Sequence, residues 1–230
     1  MTAKLTELID KLDYVEIVRA KLGEILLVES AQQQQHARDA GDKDPELWKL
    51  RVYVERSNPW EEFRDSKDRS PLVNICWDNS QDDEKSSDTS RRQRVHAVFN
   101  IDCYGAGTAK ASEEGHDPAD EQAAFARDRA LRLVRNILMS AHYTYLDLRP
   151  DENSVGVTGR WRQSVQAFQL PIDARTTVRI AAARLALRVS FNEFSPQVVG
   201  VPLELVSVTA INAATGEVFF KADYPQESDS

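Results

Sequence analysis

Four histidines and two cysteines are the residues of this chain best suited to nucleophilic or metal chemistry. His36, His96, His116 and His142 lie in unrelated settings, and none has a second His or Cys at metal-ligand spacing. His96 and Cys103 share one predicted strand, but their odd separation puts them on opposite faces, so no Cys–His pair forms within it. No serine sits in a nucleophile elbow. Asp78, Ser80, Asp82 and Glu84 have the alternation of a calcium loop, yet Asp83 stands where the sharp turn needs glycine and Thr89 where the bidentate Glu belongs. A solvated loop is the expected reading.

One further stretch has the residue types for chemistry. Gly105-Ala106-Gly107-Thr108-Ala109-Lys110 falls between a predicted strand and a predicted helix, where phosphate-binding loops occur. Walker spacing and the third glycine of a dinucleotide fingerprint are both absent, and Glu113, Glu114 and Asp117 would repel an anion. A small nucleotide-binding enzyme built on Gly105–Gly107 is therefore only a remote alternative. No enzyme activity, cofactor or metal is expected.

The elements that would position such residues follow from periodicity. Val95, Ala97, Phe99, Ile101 and Cys103 alternate with more polar neighbours, which predicts a strand at the centre of the chain. A helix is predicted after it, with Asp117 as N-cap, Pro118 at the first helical position and Asp120 and Glu121 in the first turn. Ala123, Ala130, Leu131, Val134, Ile137, Leu138 and Ala141 form its apolar stripe, with Arg127, Arg129, Arg132 and Arg135 on the flanks. Another helix is expected from Thr2 to Gln35, its four terminal glutamines solvated.

Strands are expected at Leu50–Arg56, Pro71–Asp78, Arg160–Leu170 and Thr177–Phe194. In the last of these Arg184 and Arg188 share a face with small residues. Residues 79–92 carry no apolar side chain and are expected to form a mobile polar loop. A hairpin over 203–222 and a frayed tail at 225–230 complete a single α+β domain spanning 1–230. Its mostly antiparallel sheet has two long helices packed on one face, plus a C-terminal β-hairpin.

Composition narrows the classes. With 29 basic against 37 acidic residues the net charge is −8, which disfavours a surface that coats nucleic acid. No apolar run approaches the roughly 20 residues needed to span a bilayer. Acidic residues interrupt the apolar pattern at the N-terminus, so no secretory signal is expected. Cys76 and Cys103 cannot make a disulfide framework and are expected to be buried thiols, which points to folding in the cytoplasm.

In this order of elements, and in the phrases VRAKLGEILL, PLVNICWD, VFNIDCYGAG and ALRLVRNILMSA, the chain resembles the tail terminator proteins of long-tailed bacteriophages. The resemblance spans roughly Leu5 to Phe194. It implies a structural virion protein of the tail or neck, assembled in the host cytoplasm as a homo-oligomeric ring, usually a hexamer. The ring would cap the tail tube protein and meet the head-side connector protein, while DNA passes through its lumen without specific binding. Arg184, Arg188, Arg132 and Arg135 are the candidate subunit-interface residues. Another head–tail neck, head-completion or baseplate adaptor protein is the alternative.

Overall fold

The computed structural model describes residues 13–65, 68–85, 92–112, 115–148, 155–170, 178–194, 205–211 and 218–225. The chain divides into two compact units, residues 9–195 and residues 1–8 with 196–230. In the second unit the strands β8 (Leu205–Ile211) and β9 (Val218–Pro225) pair antiparallel in a sheet of their own. Pro225, the first residue of the tail expected to fray, ends β9.

The larger unit opens with α1, Tyr14–Asp39. Its start is written into Asp13-Tyr14-Val15-Glu16: the Asp13 carboxylate accepts from Val15 N at 2.9 Å and the Glu16 carboxylate accepts from Asp13 N at 2.9 Å. This reciprocal capping satisfies donors that the first helical turn leaves without partners. The expected residues ahead of Asp13, including Leu5, Leu8, Ile9 and Leu12, lie outside the described residues. The glutamine run does not end the helix. Gln34 is buried and donates to Glu46 at 2.7 Å, which holds the following 3-10 turn, Pro45–Trp48, against α1.

After the turn come β1 (Arg51–Val54), a one-turn helix α2 (Glu62–Asp65), β2 (Leu72–Asp82) and β3 (Arg92–Thr108). A short ribbon, β4 (Lys110–Ser112) with β5 (Gly115–Asp117), leads into α3 (Ala119–Leu138), and β6 (Gly156–Phe168) and β7 (Val178–Phe194) follow. The five-stranded sheet runs β1-β2-β3-β7-β6. It is a mixed sheet, which corrects the mostly antiparallel one expected: β1 lies parallel to β2, while β2–β3, β3–β7 and β7–β6 are antiparallel. The reason is the connector. Residues 55–71 form a crossover rather than a hairpin, long enough to carry the chain back to the end where β1 began. Trp60 and Phe63 of that crossover pack on Leu72, Tyr104, Ala106, Val178 and Ala182, a small second core.

The main core joins residues of α1 (Val18, Leu22, Ile25, Leu26) and α3 (Ala130, Leu133, Val134, Ile137, Leu138) to alternate residues of the strands, among them Val73, Ile75, Phe99, Ile101, Leu185 and Leu187. β3 is buried on both faces from Ala97 to Gly107, but the residues that it and β7 give to this core alternate along each strand, as the pleat requires: Val95, Ala97, Phe99, Ile101 and Cys103, and Leu185, Leu187, Val189 and Phe191. Leu133 and Ala126 take buried places in α3, while Ala141 of the predicted stripe is exposed and Leu131 only partly covered.

Three further expectations are corrected. Asn79–Asp82 are not loop: they extend β2, with Asn79 opposite Val98 and Asp82 opposite Val95. Their polar side chains are exposed, and backbone pairing to β3 needs no apolar residue from them. Residues 86–91 of the expected loop lie outside the described residues. Nor is Gly105–Gly107 a loop. It is the end of β3, paired through Gly107 with Arg179. Asp117 ends β5, and Pro118 takes the N-cap position of α3.

Candidate functional site

The sheet face that carries Arg184 and Arg188 is built from cross-strand rows. Asn74, Asp102, Arg184 and Gln166 form one; Cys76, Asn100, Ala186 and Ser164 the next; Asn79, Val98, Arg188 and Trp161 the third. Asp102 is only 4% exposed. Arg184 meets it in a two-point ion pair, Nε to Oδ1 at 2.7 Å and Nη2 to Oδ2 at 2.9 Å, and its guanidinium lies 5.5 Å from the Phe168 ring centre. Asp102 also accepts from the Tyr104 hydroxyl at 3.4 Å. The hydrogen bonds that Arg184 donates to Asp102 raise its pKa against the opposing effect of burial. Burial, then the Asp102 charge, pushes the Tyr104 hydroxyl well up. Tyr104 is therefore a neutral donor at any ordinary pH.

Arg188 sits 5.1 Å from the ring centre of Trp161, and its buried Nε has no hydrogen-bond partner among the described residues. Trp161 belongs to β6, which among the described residues is paired only with β7. Residues 161–167 are all exposed, with Trp161 at 46% and Val165 at 43%. Arg135 of α3 borders the same tryptophan across a cleft of about 430 Å³ that also takes in Met139 and Arg162. Arg132 lies elsewhere, in a cleft of about 350 Å³ with Glu29, Trp48, His142 and Tyr143. Of the four arginines expected at an interface, Arg188 and Arg135 thus converge on Trp161. Arg184 is matched within its own sheet and Arg132 stands apart.

Residues that sequence reasoning missed carry this arrangement. Asp102 becomes visible only once β3 and β7 are paired. Arg160 directly precedes the exposed run of β6 but is itself buried, its Nε donating to Leu138 O and its Nη2 to Ser140 O, so it closes the C-terminal end of α3. Burial lowers its pKa. The Arg160-Trp161-Arg162 triplet at a strand start was the available signal.

The structure also lines up Ser190, His96 and Asp83, with His96 Nδ1 against Ser190 Oγ and His96 Nε2 3.7 Å from Asp83 Oδ2. These are the residue types of a hydrolytic triad, but Ser190 is 1% exposed in the middle of β7 and cannot present Oγ to a substrate. The row is structural. A third cleft, about 710 Å³, is bordered by Gly107, Thr108, Phe125 and Arg129. Its three basic residues, Lys43, Arg69 and Arg129, are matched in number by Asp44, Glu46 and Asp68, a balance of charge without preference for a phosphate. Among the described residues no group of three or more His, Cys, Asp or Glu is placed to hold a metal ion, and no helix is long and apolar enough to cross a membrane.

Both thiols are free, Cys103 fully buried and Cys76 half-buried. Burial, then the charges of Glu55 and Asp102, pushes Cys76 up to about 11. About one thousandth of it is thiolate at pH 8, and the thiolate is the reactive form. Ellman's reagent is expected to label the native protein only slowly at that pH and to titrate both cysteines after unfolding in guanidinium. Rapid labelling of one thiol in the native state would contradict this placement.

At the far end of β7, Glu193 is raised by burial first and then by the charges of Asp13 and Asp82. A raised carboxyl favours folding when protonated, so its contribution is full below the unfolded value and is lost as pH rises through the folded one. Glu193→Gln is expected to stabilise the chain at pH 7 by about 0.5 kcal/mol, the scale of partly exposed charge interactions. That gain should vanish below about pH 4, where an unperturbed glutamate is itself protonated. Urea midpoints at the two pH values check both signs.

Compared with models of known protein families and with curated protein sequences, the chain has no match.

Proposed function

We propose that this chain is a structural virion protein, the tail terminator of a long-tailed phage. Copies close into a ring, a hexamer in the usual form of such proteins, that caps the tail tube and meets the head-side connector. The reading takes the two long helices as covering one face of the sheet and the β8–β9 pair as a C-terminal hairpin extension. It leaves β6 for a neighbour.

The observation that carries the proposal is β6 itself. A terminal strand exposed over residues 161–167, with Trp161 and Val165 uncovered and arginines around it, is built to be paired. An exposed sheet edge left bare invites uncontrolled association, so a subunit that keeps one gains from having a fixed neighbour. A net charge of −8 suits a ring through which DNA slides, because an acidic lumen does not hold phosphates.

Electron microscopy of particles from a phage lacking this gene tests the role. Tails of uncontrolled length without attached heads are expected, and a plasmid copy should restore normal virions. Tails of normal length joined to heads in the absence of the protein would overturn the proposal.

A further inference from the structure

The two sides of the five-stranded sheet differ in charge. On one side, β2 runs on beyond β1, whose pairing stops at Val54 opposite Ile75. Glu55 turns out of the strand there, at φ 50, and its carboxylate accepts from Trp77 N at 2.7 Å and pairs with Arg19 at 2.6 Å. From Asp78 to Asp82 the strand is paired only with β3 among the described residues, and every one of these residues is exposed. The stretch Asp78-Asn79-Ser80-Gln81-Asp82-Asp83-Glu84 contains four carboxylates and no basic residue. Asp83 N donates to Arg94 O at 2.8 Å, which makes that pair the hydrogen-bonded one. By the alternation of an antiparallel ladder, the backbone groups of Ser80 and Asp82 then point away from β3, towards open solvent.

On the other side lies β6, which contains Arg160 and Arg162 and no acidic residue. Arg135 and Arg188 add positive charge on either side of its Trp161. Among the described residues, one edge of the sheet therefore has an acidic stretch of β2 with no strand beside it, and the other a basic and apolar β6 with no strand beside it.

We infer that the occupant of β6 is the Asp78–Asp82 edge of a second copy of this chain. Strand directions agree with such a contact. β2 is antiparallel to β3, β3 to β7 and β7 to β6, so β6 runs opposite to β2. A neighbour that continues the sheet in the same orientation sets its β2 antiparallel to β6, the pairing with the straighter hydrogen bonds. Register shifts after Val157 and after Arg162 divide β6 into three short runs, on the scale of the short free stretch of β2. The contact covers Trp161 and Val165 and puts Arg162 beside the carboxylates. Because it joins two different edges, it is heterologous and repeats from copy to copy until it closes. The inference names the contact within the ring proposed above and rests on that reading only for closure.

Sedimentation velocity of full-length protein tests it with Arg162→Glu, Asp82→Arg and an equimolar mixture of the two variants. Both substitutions fall on exposed side chains, and circular dichroism is expected to match wild type. Wild type should sediment as a closed assembly and each single variant as a monomer. The mixture should regain the assembly, since each variant keeps the edge that the other has lost and the altered edges are again of opposite charge. Wild-type assembly in either single variant would overturn the edge contact without touching the ring, as would loss in Arg162→Glu alone, which points to β6 pairing with itself. A wild type that stays monomeric at high concentration also overturns it, while microscopy of gene-deleted particles judges the tail role separately.

Discussion

Gly105→Ala is expected to cost the chain about 3 kcal/mol or more, the upper end of what forced overpacking does. A methyl group at that position would lie 2.2 Å from Arg127 N and 2.4 Å from Ala123 O, both backbone atoms of α3. Backbone in the middle of a helix cannot rotate aside, so either α3 lifts off β3 or the core on both sides of it loosens. Against a total stability of about 5–15 kcal/mol, that is a large fraction. Gly107→Ala should behave alike, with Ala119 O at 2.1 Å. Two other glycines serve as controls. Gly41 has nothing within 4 Å but a φ of +71, so its alanine variant should lose only about 1 kcal/mol through backbone strain. Gly23 lies inside α1 with its nearest neighbour, Val54 Cγ2, at an ordinary 3.5 Å, and alanine there gains about 1 kcal/mol of helix propensity. Urea midpoints should fall in the order Gly23→Ala, wild type, Gly41→Ala, Gly105→Ala. A Gly105→Ala midpoint equal to wild type would mean that α3 does not sit on β3 as described.

Those glycines also show where sequence reading reached and where it stopped. Gly-Ala-Gly after a strand is a turn signal when judged locally, because glycine tolerates the backbone angles of turns. In this chain the same residues are glycine because a helix comes within touching distance. The complementary signal sits far along the chain, in the small residues Ala119, Ala123 and Ala126 on the facing side of α3. Asn79–Asp82 failed for a related reason: composition reports whether a segment buries side chains, and an edge strand need bury only its backbone on one side. By contrast, β3 and β7 were legible from period-two alternation, and α3 from its stripe, since those patterns are local. The parallel placement of β1 was not legible at all. It depends on where the crossover through Trp60 and Phe63 delivers the chain, which no local periodicity reports.

The candidate site divides along the same line. Strand parity put Arg184 and Arg188 on the correct face, which needs only the alternation of β7. What each arginine meets depends on neighbouring strands: Asp102 across the β3–β7 ladder for Arg184, Trp161 across β7–β6 for Arg188. Both arginines were expected at a subunit interface. For Arg184 the partner is in its own sheet.

That placement predicts a second large effect. Arg184→Ala is expected to destabilise the isolated subunit by about 3–4 kcal/mol, the range for removing one member of a buried pair. The Asp102 carboxylate, 4% exposed, would keep only the long hydrogen bond from Tyr104. Asp102→Ala should cost less, about 2 kcal/mol, because the Arg184 side chain is 35% exposed and its freed guanidinium can turn to water. The double substitution should cost less than the sum, leaving a coupling energy of about 1–3 kcal/mol in a double-mutant cycle. Urea unfolding monitored on dilute protein reads all three values. A cation reserved for a neighbouring copy would behave in the opposite way: Arg184→Ala would spare the unfolding midpoint and shift only the assembly state. The two-point geometry to a carboxylate inside the same sheet assigns Arg184 to the subunit's own stability, and leaves Arg188, Arg135 and Arg162, gathered around Trp161, as the cations facing outward.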